Sequence, residues 1–262
     1  MRYRRRASGL LAPEDGLAVP RLRGARAYDP ASLGTLVGAK PPSFSPSDLA
    51  NLFLWLDADA ITGLNDNDAV VTWEDQSVNG RDFTQGTAGF RPTYQTGELN
   101  GLPVVRFDGT DNFLASAALT IAQPMTVYSV VKRTGNTGAF NVVMTTGSTT
   151  YTWPGFTNSA NTWYFYTGAA FQTQTAADNV WHYLTLVVPD GGANSTMRTD
   201  GTPATVQMDN QDLSNDPFVM GATNVPSLPL AGDIAEHIIY NDEHDATEIS
   251  QVEDYLTAKW GL

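Results

Sequence analysis

The sequence has no cysteine, so no disulfide and no thiolate metal site can form. Histidine is scarce: His182, His237 and His244 stand alone, without metal-ligand spacing. No apolar run is long enough to cross a bilayer as a helix, and the longest, 52–56 and 184–188, are strand-sized. No Gly-x-Ser-x-Gly nucleophile elbow occurs. Basic residues are scarce beyond the first segment. Residues 1–46 hold eight Lys/Arg and three Asp/Glu, a net of +5, whereas residues 47–262 carry −18. An acidic body repels a polyanion, which argues against nucleic acid as its partner. No membrane partner is expected.

Residues 1–46 show no hydrophobic periodicity and end in a Pro-rich run, Lys40-Pro41-Pro42-Ser43-Phe44-Ser45-Pro46. Met1 to Arg6 imitates a signal peptide's charged start. The apolar stretch after it stops at Pro13-Glu14-Asp15, too short for an h-region, so the segment reads as an arm. Alone, such a segment cannot bury enough surface to offset its ordering entropy. It therefore reads as an anchor for a partner's groove, with docking back on its own domain as the alternative. Arg4, Arg5, Arg6 and Arg23 supply charge, and Leu10, Leu11, Leu17, Leu22, Leu36 and Phe44 supply apolar contacts. The basic tip lacks aromatic interleaving beyond Tyr3, which favours a protein contact over nucleic acid.

From residue 47 the pattern changes. Short runs rich in Val, Ile, Thr, Tyr and Trp predict strands at 52–57, 70–74, 104–107, 125–133, 140–146, 163–167, 180–188, 196–199, 204–208, 218–221 and 233–240. Asn79-Gly80, Asn100-Gly101, Asp108-Gly109, Asp190-Gly191 and Asp200-Gly201 mark turns. Many strands without alternating helices predict an all-β, two-sheet antiparallel sandwich over residues 47–262. One helix is expected at the C-terminus. Asp245 precedes Glu248 by three, a capping-box start, and Ile249, Val252, Leu256 and Trp260 make one apolar face.

Several candidate sites follow. Glycosidases set carboxylates two residues apart on one strand so that both face the cleft. The nearest pair on a predicted strand is Asp233 and Glu236. Their separation of three puts them on opposite faces, so Glu236 reads as a structural group and no catalytic residue is assigned. Asn65-Asp66-Asn67-Asp68 and the Asp108/Asp111/Asn112 loop raise the question of calcium. Neither has EF-hand spacing, and both read as polar turns; no metal ligand or cofactor is assigned. An aromatic-rich stretch, 151–166, reads first as core or sheet-surface packing, and as the alternative it could stack on sugars, with Tyr151, Trp153, Tyr164 and Tyr166 as candidates. Alternation puts Trp163 and Phe165 on one face and Tyr164 and Tyr166 on the other.

Taken together, Leu54-Trp55-Leu56-Asp57-Ala58, Trp73-Glu74-Asp75-Gln76-Ser77, Val104-Val105-Arg106-Phe107-Asp108-Gly109, Trp181-His182-Tyr183-Leu184, Arg198-Thr199-Asp200-Gly201 and Gly232 to Tyr240 resemble, in order and spacing, the laminin-G-like, concanavalin-A-like jelly roll. The resemblance spans about residues 50 to 262. It implies a jelly-roll sandwich with a capping helix. The opening L-W-L-D-A and closing Y-L-x-x-K-W-G look like domains carried by tailed-bacteriophage structural proteins and by bacterial surface proteins, and the short Arg- and Pro-rich leader resembles the phage kind more. That likeness implies a non-enzymatic virion protein held by its arm to other virion proteins, in symmetric or multi-copy assembly. A head decoration or head fibre is expected first, and a tail, collar or baseplate component second. Two alternatives stand beside it: a carbohydrate-binding adhesin for host polysaccharide, and a glycan hydrolase.

Overall fold

Runs of β-branched and aromatic residues become strands where left-handed turns let the chain reverse. The structure, a computed structural model, describes residues 44–135, 140–146, 155–157, 162–166, 171–175, 178–190, 194–206, 213–223 and 228–262. The strands begin with β1 (Leu52–Asp57), β2 (Thr72–Trp73), β3 (Phe83–Thr84), β4 (Thr93–Leu99), β5 (Leu102–Asp108) and β6 (Leu114–Ile121). They continue with β7 (Met125–Arg133), β8 (Phe140–Val142), β9 (Met144–Thr146), β10 (Gly155–Thr157), β11 (Thr162–Tyr166) and β12 (Phe171–Thr175). Then come β13 (Trp181–Val188), β14 (Ser195–Thr199), β15 (Thr202–Val206), β16 (Leu213–Met220) and β17 (Ala231–Tyr240), followed by helix α1 (Ala246–Trp260). Asn100-Gly101 and Asp200-Gly201 both take positive φ at each residue, the geometry of tight hairpins, and they join β4 to β5 and β14 to β15.

Among the described residues all strand pairings are antiparallel, and the architecture is the expected jelly-roll sandwich. One sheet runs β15-β14-β13-β7-β17-β5-β4, with β1 added on β17. The facing layer holds β2-β3-β6-β16-β9, tied to β12-β11-β10-β8 because β8 and β9 are separated by Val143 alone. Between the layers, Val105, Val127, Leu184 and Ile239 from the first sheet meet Trp73, Phe83, Leu114, Phe218 and Met220 from the second, all buried. A second apolar cluster lies on the outer face, where Val104, Tyr128, Val130 and Ile238 meet Val252, Leu256 and Trp260 of α1. Strands β7 and β17 are thus covered on both faces, so they read as near-continuous apolar runs rather than alternating ones.

The helix begins as read. Asp245 accepts hydrogen bonds from Thr247 N and Glu248 N, and Glu248 returns one from Asp245 N. It ends at Gly261, whose φ of +72° closes the last turn. Strands β4 and β6 were not expected. The latter, Leu-Ala-Ser-Ala-Ala-Leu-Thr-Ile, is rich in alanine and carries little strand propensity, and its pairing with β16 supplies what the local sequence lacks. The run expected at 70–74 shortens to β2, and the one at 140–146 breaks at Val143.

The compact unit starts at Phe44, three residues before the boundary read from the sequence. Ser45 and Asp48 form a capping box around a short 3-10 turn. The carbonyl of Pro46 accepts from the Tyr240 hydroxyl at 2.8 Å. Phe44, assigned above to the arm, packs edge-on against Tyr255 of α1, so that assignment is corrected.

Gly221 links β16 to the chain leading into β17. Its φ is +86°, and an added Cβ would lie 2.1 Å from the Phe107 ring. Replacing Gly221 by alanine should therefore cost about 2 kcal/mol or more, through strain and overpacking together. Chemical denaturation of the variant against the parent measures this.

Candidate functional site

Strand β17 changes neighbours along one flank. Residues Ala231 to Ile234 pair with β5, and residues from Glu236 onward pair with β1. The switch coincides with a bulge between Ile234 and Glu236 in the pairing with β7. A bulge adds one residue and resets the alternation of side chains. The expectation that Asp233 and Glu236 point to opposite faces is therefore overturned: both lie on the outer face, and Glu236 meets α1 there. Asp233, fully buried, is held by Arg106 through two contacts of 2.6 and 2.9 Å and by Lys132 at 2.8 Å. The Lys132 ammonium also sits 4.8 Å from the centre of the Trp181 ring.

Glu236 occupies a different network on that face. It has no exposure. Its Oε1 accepts from Trp55 Nε1 at 2.6 Å and from the Tyr255 hydroxyl at 2.9 Å. Its Oε2 accepts from Trp260 Nε1 at 2.6 Å and faces Lys259 Nζ at 3.3 Å. Lys259 also lies 2.5 Å from Asp57 Oδ2. Burial, and then the neighbouring Asp57 charge, push the Glu236 carboxyl up to about 7, against the pull of Lys259 and the two indoles. Asp57 is raised as well, chiefly by burial. Both carboxylates are enclosed by protein, so neither is placed to attack or protonate a bound substrate. The sequence reading named Glu236 as structural but missed Lys259 and Asp57. Their signal lay in the opening L-W-L-D-A and closing K-W-G, whose side chains meet only in three dimensions.

Other carboxylates have similar duties. Glu243-His244-Asp245-Ala246-Thr247-Glu248 has the Glu-x-Asp-x-x-Glu spacing of strand-borne glycosidase sites. It lies instead at the start of α1, where Asp245 and Glu248 cap the helix. In the 65–68 run, Asp66 Oδ1 accepts from Thr96 N, Asn67 N donates to Tyr94 O, and Tyr94 N donates to Asp68 O. That run covers the edge of β4, as edge strands require. Asp108 Oδ1 accepts from Thr110 N, and Asn112 Oδ1 accepts from Asp108 N. Asp75 accepts from the backbone of Trp55, Ser77 and Arg81 and so shapes the 74–81 turn. Among the described residues no three His, Asp or Glu side chains gather as a metal site.

The histidines are all buried. His237 Nδ1 lies 2.6 Å from Ser129 Oγ, a distance suited to nucleophile activation, but both residues are sealed inside the sandwich. Burial pulls the His237 imidazole down to about 3, so it stays neutral. His244 contacts the Tyr128 hydroxyl, and burial lowers it too. His182 Nδ1 meets Asp200 at the β14–β15 hairpin. A polar pocket of about 60 Å³ at Ala60, Thr62, Thr72, Glu74 and Gln76 is far below the few hundred Å³ a sugar ring needs.

Of the glycan candidates, Tyr164 and Tyr166 lie on β11. Trp163 beside them is buried in the inter-sheet core. Tyr151 and Trp153 lie outside the described residues, as do Arg4, Arg5, Arg6, Leu10, Leu11, Leu17, Leu22, Arg23 and Leu36.

Comparison with known proteins agrees with this architecture. A family model described as the concanavalin A-like lectin/glucanases superfamily matches residues 107–250, more than half of the chain. No curated protein sequence matches. Among solved structures, domain 4 of AbnA, an extracellular arabinanase from Geobacillus stearothermophilus in complex with arabinotriose, is similar with a TM-score of 0.57 at 17% identity. The match covers 78% of this chain and 98% of that domain. A Trypanosoma rangeli sialidase in complex with sialic acid is similar with a TM-score of 0.55 at 14% identity, over 80% of this chain and 33% of that one. The ligand-binding domain of botulinum neurotoxin serotype D, in complex with N-acetylneuraminic acid, gives a TM-score of 0.55 at 12% identity, over 78% and 50%. At such identities the likeness is one of fold.

The elevated Glu236 group predicts a definite pH dependence. The native state keeps a proton there up to about pH 7, whereas the unfolded chain releases it near 4.5. The favourable contribution is therefore complete below about 4.5 and is lost as pH rises to about 7, a change of about 3 kcal/mol at most. Neutral His237 contributes with the opposite sign, losing stability as pH falls below its ordinary 6.5 toward 3. Glu236→Gln should remove Glu236's share of this slope and leave those of the histidines and of the raised Asp57, at a cost of about 1–3 kcal/mol because an amide N–H then faces one of the donors that a carboxylate accepts from. Thermal melts of both proteins across pH 4.5–8 test this.

Proposed function

Because the chain belongs to the concanavalin A-like lectin/glucanases superfamily, we propose that it works by binding rather than turnover, as a non-enzymatic structural protein on the outside of a tailed-phage virion. The observation that carries the reading is the division of the chain. A basic segment of net +5 precedes a strongly acidic sandwich that is compact from Phe44 onward and holds its own core. A basic segment suits a groove between acidic neighbours. Its leucines supply apolar anchors, and an arm of this kind can add a strand to a neighbour's sheet edge. Repeated copies on a symmetric particle then multiply weak contacts into firm attachment. A head decoration or head fibre is the first assignment, and a tail, collar or baseplate component the second.

The non-enzymatic part rests on the carboxylates. The strand pair Asp233 and Glu236 and the Glu243–Glu248 run hold cations, indoles and helix-end amides rather than an open cleft. A second reading, adhesion to host polysaccharide, is favoured by the ligands of the structural neighbours, arabinotriose and N-acetylneuraminic acid. The two roles are compatible in one protein.

Deleting residues 1–43 should leave the melting temperature within about 2 °C of the parent, because the core begins at Phe44. The truncated protein should no longer join particles when it complements a phage lacking the gene. Full occupancy of the truncated protein would refute the anchoring role. Binding of the isolated sandwich to an array of bacterial surface glycans tests the second role. A bound glycan that is released unchanged in length supports adhesion, and shortening of the glycan would establish a hydrolase instead.

A further inference from the structure

The cluster at the C-terminal end of α1 has a chemistry that its structural duty does not use. Lys259 Nζ lies 2.5 Å from Asp57 Oδ2 and 3.3 Å from Glu236 Oε2. The two carboxylates are directly opposed in the register of β1 and β17. Asp57 Oδ1 is not free: it accepts from Asp59 N at 3.0 Å. Around them stand Trp55, Tyr255 and Trp260, with the ammonium 4.9 Å from the Trp260 ring and 5.6 Å from that of Tyr255. Side-chain exposure is 15% for Lys259, 9% for Asp57 and nil for Glu236.

This group has two carboxyls and one amine, so it retains a proton where isolated carboxylates would have lost theirs. Burial of a charge is costly, and it holds Asp57 and Glu236 toward their protonated forms. A free amine held against an un-ionised carboxyl is the reactive state for amide formation. Holding the two groups in contact also replaces a bimolecular encounter by an intramolecular one. Partial burial limits the access of competing solvent.

We propose that Lys259 and Asp57 condense into an intramolecular isopeptide bond, with Glu236 as the proton carrier. The Lys259 nitrogen lone pair attacks Asp57 Cγ, and the C–N bond forms as electrons shift onto Oδ1. The Asp59 N–H stabilises that developing charge in the manner of an oxyanion hole. Glu236 takes a proton from Nζ and returns it to Oδ2 as general base and then general acid. The C–Oδ2 bond breaks, water leaves, and no electrons are exchanged with any other reagent. The elevated proton affinity of Glu236 agrees with such a role. The bond would join the first strand to the last helical turn and close nearly the whole sandwich into a covalent loop. It is independent of what the sandwich binds and of where the protein is assembled.

The mass of the full-length purified chain under denaturing conditions decides the matter. A chain lighter than its sequence by one water, with a branched peptide joining Asp57 to Lys259 after proteolysis, is the expected result. Lys259→Arg keeps the charge but cannot form the amide, so it should have its full mass and melt roughly 10 °C lower. Glu236→Gln should also have its full mass. A parent chain of full sequence mass, or a water loss that persists in Lys259→Arg, would overturn the proposal. A cross-link that survives in Glu236→Gln would remove Glu236 from it. The parent's own mass is decisive even if a variant fails to fold.

Discussion

A carboxylate with no access to water must be solvated by protein or it destabilises the fold, and Glu236 meets that demand with four donors. Those donors come from β1 and α1, while the carboxylate itself sits on β17, the strand that pairs with β7 along its length. One side chain thereby fixes the first strand, the last strand and the helix relative to each other. Apolar burial of Val252, Leu256 and Trp260 would draw α1 onto the sheet in several registers. The contacts of Tyr255, Lys259 and Trp260 with Glu236 select one, because losing them leaves a buried polar group unpaired.

The bulge at Ile234–Glu236 makes this possible. It falls where β17 exchanges β5 for β1 as its neighbour, and it turns Glu236 outward toward the helix. Without the extra residue, Glu236 would enter the apolar space between the sheets, where Trp73 and Phe218 lie. On the same face, Asp233 organises Arg106 and Lys132 across neighbouring strands. Charge that could have served catalysis is used to hold a sheet whose both faces are covered.

Much of this was legible in advance. Strand β7 carries a long apolar run that ends in a basic pair, and its pattern locates both of its ends. The capping box of α1 is a local interaction between residues three apart, so it needs nothing distant. Strand β6 was not legible, because alanine and serine take strand geometry only when β16 is beside them. The faces of Asp233 and Glu236 were misassigned for a related reason. A bulge is imposed by neighbouring strands, and strict alternation has no means of registering it.

By itself the sequence determined the class of fold, the positions of most strands, the helix with its cap, and the opposed charges of arm and body. These follow from periodicity, turn chemistry and composition, which act over a few residues. Only the tertiary structure decided that Trp55, Asp57, Glu236, Tyr255, Lys259 and Trp260 form one cluster, and that Phe44 belongs to the sandwich. The contacts that bring Trp55 and Asp57 to this cluster join residues 181 and 202 positions apart, and such proximity is created by the packing of the sheets and not written in any local pattern.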